Sequence, residues 1–374
     1  MVCTPEVSLR INKTAAKDIN WQLFLELSAY HGVRPLVYQT LRKTCWESVP
    51  EATRHELSSF YSANAAKNSF LAGELLHILR LFEADQILAV PFKGPVLAAA
   101  LYGNLAMREF ADLDFLVQER DIPKASEILS KQGYRSEVTG TAIVPDSNNV
   151  ELRSASTGIM VELHWQFSPR RFVSSLAAEH VWKGIEPIVL WERQIWSFSA
   201  EDMFLFLAVH GGKHSWSALK WLCDLAEFIR SNPLLDWRRL FDRAEALGAV
   251  RTCRLGTYLA AELLQCDVPS NFLCAAKKDA QVRHLAQDVL VRMEEPREME
   301  PIESQIFSLK LKERLRDKVC YVFLQCTQYS GAEERFLPLP SALSFLYIFV
   351  RPIWLLRRYG FSALKRLALF AREF

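Results

Sequence analysis

The sequence has no surplus of charge: 45 basic and 43 acidic residues leave a net of +2 over 374 residues. A globally basic nucleic-acid binder is therefore not indicated, although a local basic surface remains open. The eight cysteines include no C-x-x-C pair and no ligand-like spacing, the closest two being Cys320 and Cys326. That pattern argues against a disulfide framework and for buried thiols in a reducing cytosol. The start, MVCTPEVSLRINK, has no apolar core of the secretory type, so a cytoplasmic location is expected. No apolar run reaches the roughly 18 residues that a membrane span needs; the most apolar stretch, 342–356, is interrupted by Arg351 and Pro352. There is no internal repeat and no low-complexity tract. What the chain does have is a composition of which 50% is hydrophobic and 11% aromatic, enough for real cores and, at this length, for two or three packed units.

Three textures divide the chain. Over 18–83 apolar residues recur at helical spacing, as in WQLFLELSAYHGVRPLVYQTL and FLAGELLHILRLF, with Gly32, Pro35 and Pro50 at turns or helix starts and Gly73 inside a helical pattern. From ILAVPFKG the texture becomes mixed. A short strand ends on Gly94, Pro95 opens a helix through VLAAALYG, DLDFLVQ reads as a strand, and Asp121 can N-cap a helix that Gly133 ends. YRSEV, TAIV, VELR and IMVELHWQF follow as strand-like pieces, the last two flanking a hairpin connection at Ser-Ala-Ser-Thr-Gly. From Ala200 the helical period returns through LFLAVHGGKHSWSALKWLCDLAEFI, WRRLFDRAEALG and RLGTYLAAELLQ. MEEPREMEPIES reads as a linker or surface loop, and SLKLKERLRDKVCYVFLQ as one long helix. The expected organisation is a helical N-terminal domain over 1–85, an α/β core over 86–190 and a helical C-terminal domain over 191–374.

The chemistry concentrates in the middle segment. Asp112 and Asp114 lie two apart in an extended run, so both side chains share one face. Such a pair is either two solvated acids at a strand edge or a cation site, since like charges that close repel unless a cation sits between them. Hard oxygen ligands favour magnesium. Upstream, Lys93 and Gly94 end a strand and open a helix, whose free N–H groups and dipole suit phosphate. Arg108 is placed either to reach the acids or a triphosphate, or to form a surface ion pair. Downstream, Glu162 and His164 share one strand face while Val161, Leu163 and Trp165 share the other. Glu162 is the preferred third acid, and Glu151 is its rival on a shorter, less apolar strand.

The string FKGPVLAAALYGNLAMREFADLDFLVQERDIPKASEILSKQGYR resembles the polymerase-β-like nucleotidyltransferase superfamily. More narrowly, the order K-G, L-Y-G, R, D-x-D-x-L-V, G-Y, E-L-H-W, and then H-G-x-x-H-x-W-x-x-L-x-W-L-x-D-L over 210–225, is similar to a poorly characterised bacterial nucleotidyltransferase family. The resemblance runs through nearly the whole chain, R-P-I-W-L-L tail included. It implies an α+β fold, a mixed-sheet core flanked by N- and C-terminal helical domains. It also implies two-metal phosphoryl transfer, in which Asp112, Asp114 and Glu162 hold two Mg²⁺ ions, with Lys93, Gly94 and Arg108 at the phosphates. An NMP would pass from an NTP to an acceptor hydroxyl with release of pyrophosphate. One departure matters: the superfamily's usual Gly-Ser pair is here Gly94-Pro95, so phosphate binding must lean on backbone amides and on Lys93. The near-neutral charge favours a small-molecule or peptide acceptor over nucleic acid; a toxin-like enzyme modifying RNA and a non-catalytic nucleotide-binding protein are the alternatives.

Two further features stay open in the sequence. His210 and His214, spaced i, i+4 with Lys213 between them, can bind a metal, line the cleft with His164 and Trp216, or simply pack in a core; Asp224 can support one of the histidines or pair locally. The tail from Arg351 onward carries six basic residues against one acid, interleaved with Trp354, Tyr359, Phe361 and Phe370. It reads either as a helix docked on the core or as a basic amphipathic helix in peripheral contact with a membrane or RNA.

Overall fold

The computed structural model describes residues 5–136, 148–166, 168–169, 181–295, 299–327 and 335–371. Four helices come first: α1 (Pro5–Ala15), α2 (Trp21–Tyr30), α3 (Arg34–Thr44) and α4 (Glu51–Ala84). Asn20 caps α2 by accepting the Leu23 N–H at 3.0 Å, and Pro35 occupies the first turn of α3, where a missing N–H does no harm. The 34-residue α4 belongs to two cores. Near its start Leu57 packs with Leu25, Tyr38 and Leu41; near its end Leu71, Leu75, Ile78, Leu79 and Phe82 lie under the sheet.

The sheet has five strands: β1 (Ala89–Pro91), β2 (Asp112–Val117), β3 (Tyr134–Ser136), β4 (Asn149–Ser154) and β5 (Met160–His164). Their order is β1-β2-β5-β4-β3; β2 and β5 run parallel, and the other pairs are antiparallel. The strand period of two separates the faces cleanly. Leu113, Phe115, Val117, Val161 and Leu163 point to one side, each at most 0% exposed, against α4 and against Ala125 and Leu129 of α6 (Ile122–Lys131). Full burial of such a side chain stabilises by about 1.5–3 kcal/mol. Asp112, Asp114, Glu162 and His164 are left on the opposite face, which looks toward the C-terminal helices.

Those helices are α7 (Ala200–Lys213), α8 (Leu219–Ser231), α9 (Trp237–Leu247), α10 (Val250–Leu264), α11 (Ser270–Lys278), α12 (Ala280–Glu294), α13 (Pro301–Leu311), α14 (Leu315–Thr327) and α15 (Tyr347–Ala371). Their core joins Val90, Phe92, Leu97 and Leu116 from the sheet side, so the α+β arrangement expected from the sequence is present: a mixed sheet with helices on both sides.

Several local readings need correction. The helical period over 205–229 is carried by two helices: α7 ends at Lys213, and Ser215 and Trp216 adopt positive φ of 54° and 51°. The wholly buried Trp216 folds back over Gly211, where an added Cβ would lie 2.5 Å from its ring. Gly211 is thus a packing requirement, since a larger residue there would collide with the indole. The stretch 308–325 is likewise two helices, broken after Leu311; Arg251 Nη1 donates to Lys310 O (3.1 Å) and Lys312 O (2.9 Å) and fixes the break. MEEPREMEPIES is helical at its two ends, where α12 runs to Glu294 and α13 starts at Pro301, so the connection is shorter than expected; 296–298 lie outside the described residues. Asp121 precedes α6 without a side-chain capping bond. β5 ends at His164, short of Trp165. The TAIV strand and the end of YRSEV lie outside the described residues. A hairpin that the sequence did not announce, β6 (Glu186–Leu190) and β7 (Arg193–Ser197), turns at Trp191 and Glu192, both with positive φ. Asn-Gly is the usual signal for that turn, and it is absent here.

All seven cysteines among the described residues are free, but Cys274 and Cys320 are exposed rather than buried. No helix among the described residues is long and apolar enough to cross a membrane. The C-terminal helix α15 docks on α14 through Arg351, whose Nε donates to Gln325 O at 2.8 Å, and Tyr347 at its start is buried. Phe349, Ile353 and Leu356 remain exposed, and the side chains of Tyr359, Phe361 and Phe370 lie outside the described residues.

Candidate active site

The site begins at the turn between β1 and α5 (Gly94–Tyr102). Phe92 N–H donates to Asp114 O at 3.3 Å, holding the end of β1 against β2. Gly94 then takes φ +49°, and a Cβ there would sit 3.1 Å from Asp112 O. Only glycine brings the turn flush against β2. Lys93 is thereby aimed inward, and its ammonium is bonded to Asp114 Oδ1. Pro95 falls in the first turn of α5, which leaves that turn's free N–H groups at the same end of the sheet.

Parallel pairing of β2 with β5 puts Asp114 directly beside Glu162 and Leu116 beside His164. His164 Nε2 lies 3.1 Å from Asp114 Oδ1 and 3.0 Å from Glu162 Oε2. Asn149 Nδ2 donates to Glu162 Oε2 at 3.2 Å, and Asn148 Nδ2 sits 3.3 Å from His164 Nδ1. Glu151 faces Glu162 from β4, one strand further from Asp114, and is exposed. Asp112 stands at the start of β2 on the same face, half-buried, outside the tight group of Asp114, Glu162 and His164, whose ligand atoms lie within 4.8 Å of one another.

The electrostatics follow from burial and from one lysine. Burial alone would raise the Asp114 carboxyl, but the Lys93 charge and the His164 hydrogen bond hold it down at about 2. Lys93 is also buried, which works against its charge, yet Asp114 keeps it above the ordinary lysine value. Glu162 is lowered against burial, first by the hydrogen bond from His164. Asp112 moves the other way, raised by burial and then by the Asp114 charge. Asp114 Oδ2 is fully buried and has no hydrogen-bond partner among the described residues. A buried, ionised carboxylate oxygen without a partner is an anomaly that a divalent cation would resolve. Carboxylate oxygens from Asp114, Glu162 and neighbouring Asp112 form a donor set that suits a hard cation.

Arg108 is held elsewhere. Its Nε lies 3.2 and 3.0 Å from the two oxygens of Asp224, and its Nη2 3.0 Å from Oδ2; Tyr102 donates to Asp224 Oδ1 at 3.0 Å. Asn68 Nδ2 donates to Leu105 O (2.7 Å) and Arg108 O (2.8 Å), and Asn64 Nδ2 to Ala106 O (2.9 Å) and Arg108 O (3.1 Å). Two buried asparagines of α4 thus clamp the loop that carries Arg108 into β2. Beside it, Glu109 is bound by Arg34 Nη2 at 2.7 Å. Of these partners only Asp224 was singled out in the sequence, and there for one of the histidines or a local pair. Asn64 and Asn68 do carry a signal there, being amides four apart on an otherwise apolar helical stripe.

His210 and His214 line the wall opposite the sheet. Phe92 packs edge-on to His164 (5.2 Å between centroids) and to Phe206 (5.1 Å), Phe206 stacks on His210 (5.5 Å), and His214 stacks on Trp221 (4.6 Å). Burial and the nearby Lys93 charge push His210 well down; burial, Lys213 and Lys93 take His214 to about 3. Both imidazoles are therefore neutral. Lys220, on the next helix, is lowered by burial and by Arg108.

The sequence model of a family described as an uncharacterised nucleotidyltransferase matches residues 17–265, a span that contains every residue named in this site. The chain belongs to that family. The matched stretch of this nucleotidyltransferase family member stops short of the C-terminal tail, to which the resemblance had been extended. No curated protein and no solved structure matches the chain.

Proposed function

We propose that the protein is a divalent-metal-dependent nucleotidyltransferase that moves an NMP from an NTP to an acceptor hydroxyl and releases pyrophosphate. The observation that carries this reading is the orphaned Asp114 Oδ2 beside Glu162, in a chain of a nucleotidyltransferase family. Asp112, Asp114 and Glu162 would hold Mg²⁺. When bound, Mg²⁺ neutralises triphosphate charge and makes the attacking hydroxyl easier to deprotonate. The chain's own groups do the positioning. The first N–H groups of α5 and the Lys93 ammonium face the phosphates, with Gly94 allowing their close approach. Arg108, neutralised by Asp224, fixes the loop that enters β2 instead of meeting the phosphates. Neutral His210 and His214, with Lys213, border the space where the acceptor enters. With the chain's charge near zero, a small molecule or peptide is the favoured acceptor over RNA.

The test is pyrophosphate release and product mass spectrometry with each NTP, Mg²⁺ and either a small-molecule extract or total RNA. Asp114→Asn and Glu162→Gln should abolish turnover with the fold intact. Undiminished turnover in both variants sinks the assignment, and label confined to RNA replaces the favoured acceptor.

A further inference from the structure

Distance alone admits His164 Nε2 as a third ligand beside Asp114 and Glu162. The hydrogen bonds behind the imidazole say otherwise. Asn148 is buried, and its Nδ2 lies 3.0 Å from Gln166 O. A backbone carbonyl only accepts, so that end of the Asn148 amide is the NH₂ group. The same Nδ2 lies 3.3 Å from His164 Nδ1, which must then be the bare, accepting nitrogen. In a neutral imidazole the proton is on the other nitrogen. Nε2–H therefore points between Asp114 Oδ1 at 3.1 Å and Glu162 Oε2 at 3.0 Å. It has no in-plane lone pair to give a metal. Phe92, edge-on to the ring at 5.2 Å and 76°, holds that orientation.

The oxygens of the two acids divide accordingly. Asp114 Oδ1 receives both Lys93 and His164, while Asp114 Oδ2 is buried without a partner among the described residues. Glu162 Oε2 receives His164 and Asn149. Resting on the reading of this site as a cation centre, we propose that His164 is a positioning residue rather than a ligand. Its Nε2–H clamps one oxygen of each acid and turns Asp114 Oδ2 and the other Glu162 oxygen to the cation. The coordination shell that the protein presents is then all oxygen. Such a shell selects Mg²⁺ or Mn²⁺ over Zn²⁺, which an imidazole ligand would favour.

The experiment uses the full chain and Mn²⁺ as the probe. Nitrogen-15 NMR of labelled histidine in the metal-free protein should show His164 bare at Nδ1 and protonated at Nε2. Pulsed EPR of the Mn²⁺-loaded protein should show no directly coordinated ¹⁴N. The Mn²⁺ Kd should weaken about 10–100-fold in His164→Leu, as for other residues that orient ligands, and recover in part in His164→Gln, which keeps an N–H donor. The opposite tautomer, a bound ¹⁴N that vanishes in His164→Gln, or an unchanged Kd in His164→Leu overturns the positioning role while leaving the cation centre in place. No Mn²⁺ binding by the unaltered chain, equal to that of Asp114→Asn, overturns the cation reading itself.

Discussion

Asp224→Asn should destabilise the protein far more than loss of any surface carboxylate. The substitution keeps the shape of the side chain and removes its charge. The Arg108 side chain is 13% exposed and that of Asp224 3%, so little water can replace the lost partner. Guanidinium does not deprotonate in proteins, and the variant must bury an unmatched cation. Breaking a buried pair from one side costs about 3–5 kcal/mol, a large share of the roughly 5–15 kcal/mol that holds a domain folded. At about 2–4 °C per kcal/mol the Tm should fall by roughly 6–20 °C. Thermal unfolding followed by circular dichroism reads this directly. The paired variant Arg108→Met with Asp224→Leu should regain most of the loss, because apolar replacement of both members of a buried pair is often neutral or stabilising by about 1–4 kcal/mol. A single variant melting within about 1 °C of the unaltered chain, or a paired variant as unstable as the single one, would refute this account.

Two glycines inside helices should respond in opposite directions to alanine. Gly73→Ala meets nothing within 4 Å and should stabilise by about 0.5–1 kcal/mol, while Gly211→Ala, 2.5 Å from the Trp216 ring, should destabilise by about 1–3 kcal/mol; urea unfolding separates them. Gly94→Ala, at φ +49° and 3.1 Å from Asp112 O, should lose about 1–2 kcal/mol from backbone strain, and its turnover of NTP should fall further than its stability. Asn68→Ala takes the donor from Leu105 O and leaves Arg108 O with the Asn64 bond alone, and should cost about 1–3 kcal/mol in the same urea assay. Asp114, depressed to about 2, stabilises the folded state fully above the unfolded carboxylate value and loses that contribution as pH falls toward 2. The stability gap between the unaltered chain and Asp114→Asn should therefore be constant near neutrality and close below about pH 4; a gap that widens on acidification contradicts the sign.

The parts of the site that share a strand were legible because the period of two is local. It set Asp112 with Asp114 and Glu162 with His164, and left Leu113, Val161 and Leu163 for the core. The parts that depend on distant partners were not. Arg108 and Asp224 are separated by 116 positions, and nothing near either residue marks the other. The break after α7 has no proline; it comes from Trp216 folding back over Gly211. The β6–β7 hairpin turns on Trp191 and Glu192, residues that carry no turn signal. Whether His164 donates or accepts depends on which way the Asn148 amide faces, a fact of tertiary structure alone.

The long helix α4 gives the molecule a spine of roughly 50 Å at 1.5 Å per residue. Its first turns are part of one core and its last turns pack under the sheet in another, while the amides midway along it grip the loop that leads into β2. A fragment starting at residue 86 would keep every proposed ligand and lose the layer covering Phe115 and Val117. Such a fragment should aggregate rather than bind nucleotide, since the N-terminal helices serve as the wall against which the site is built.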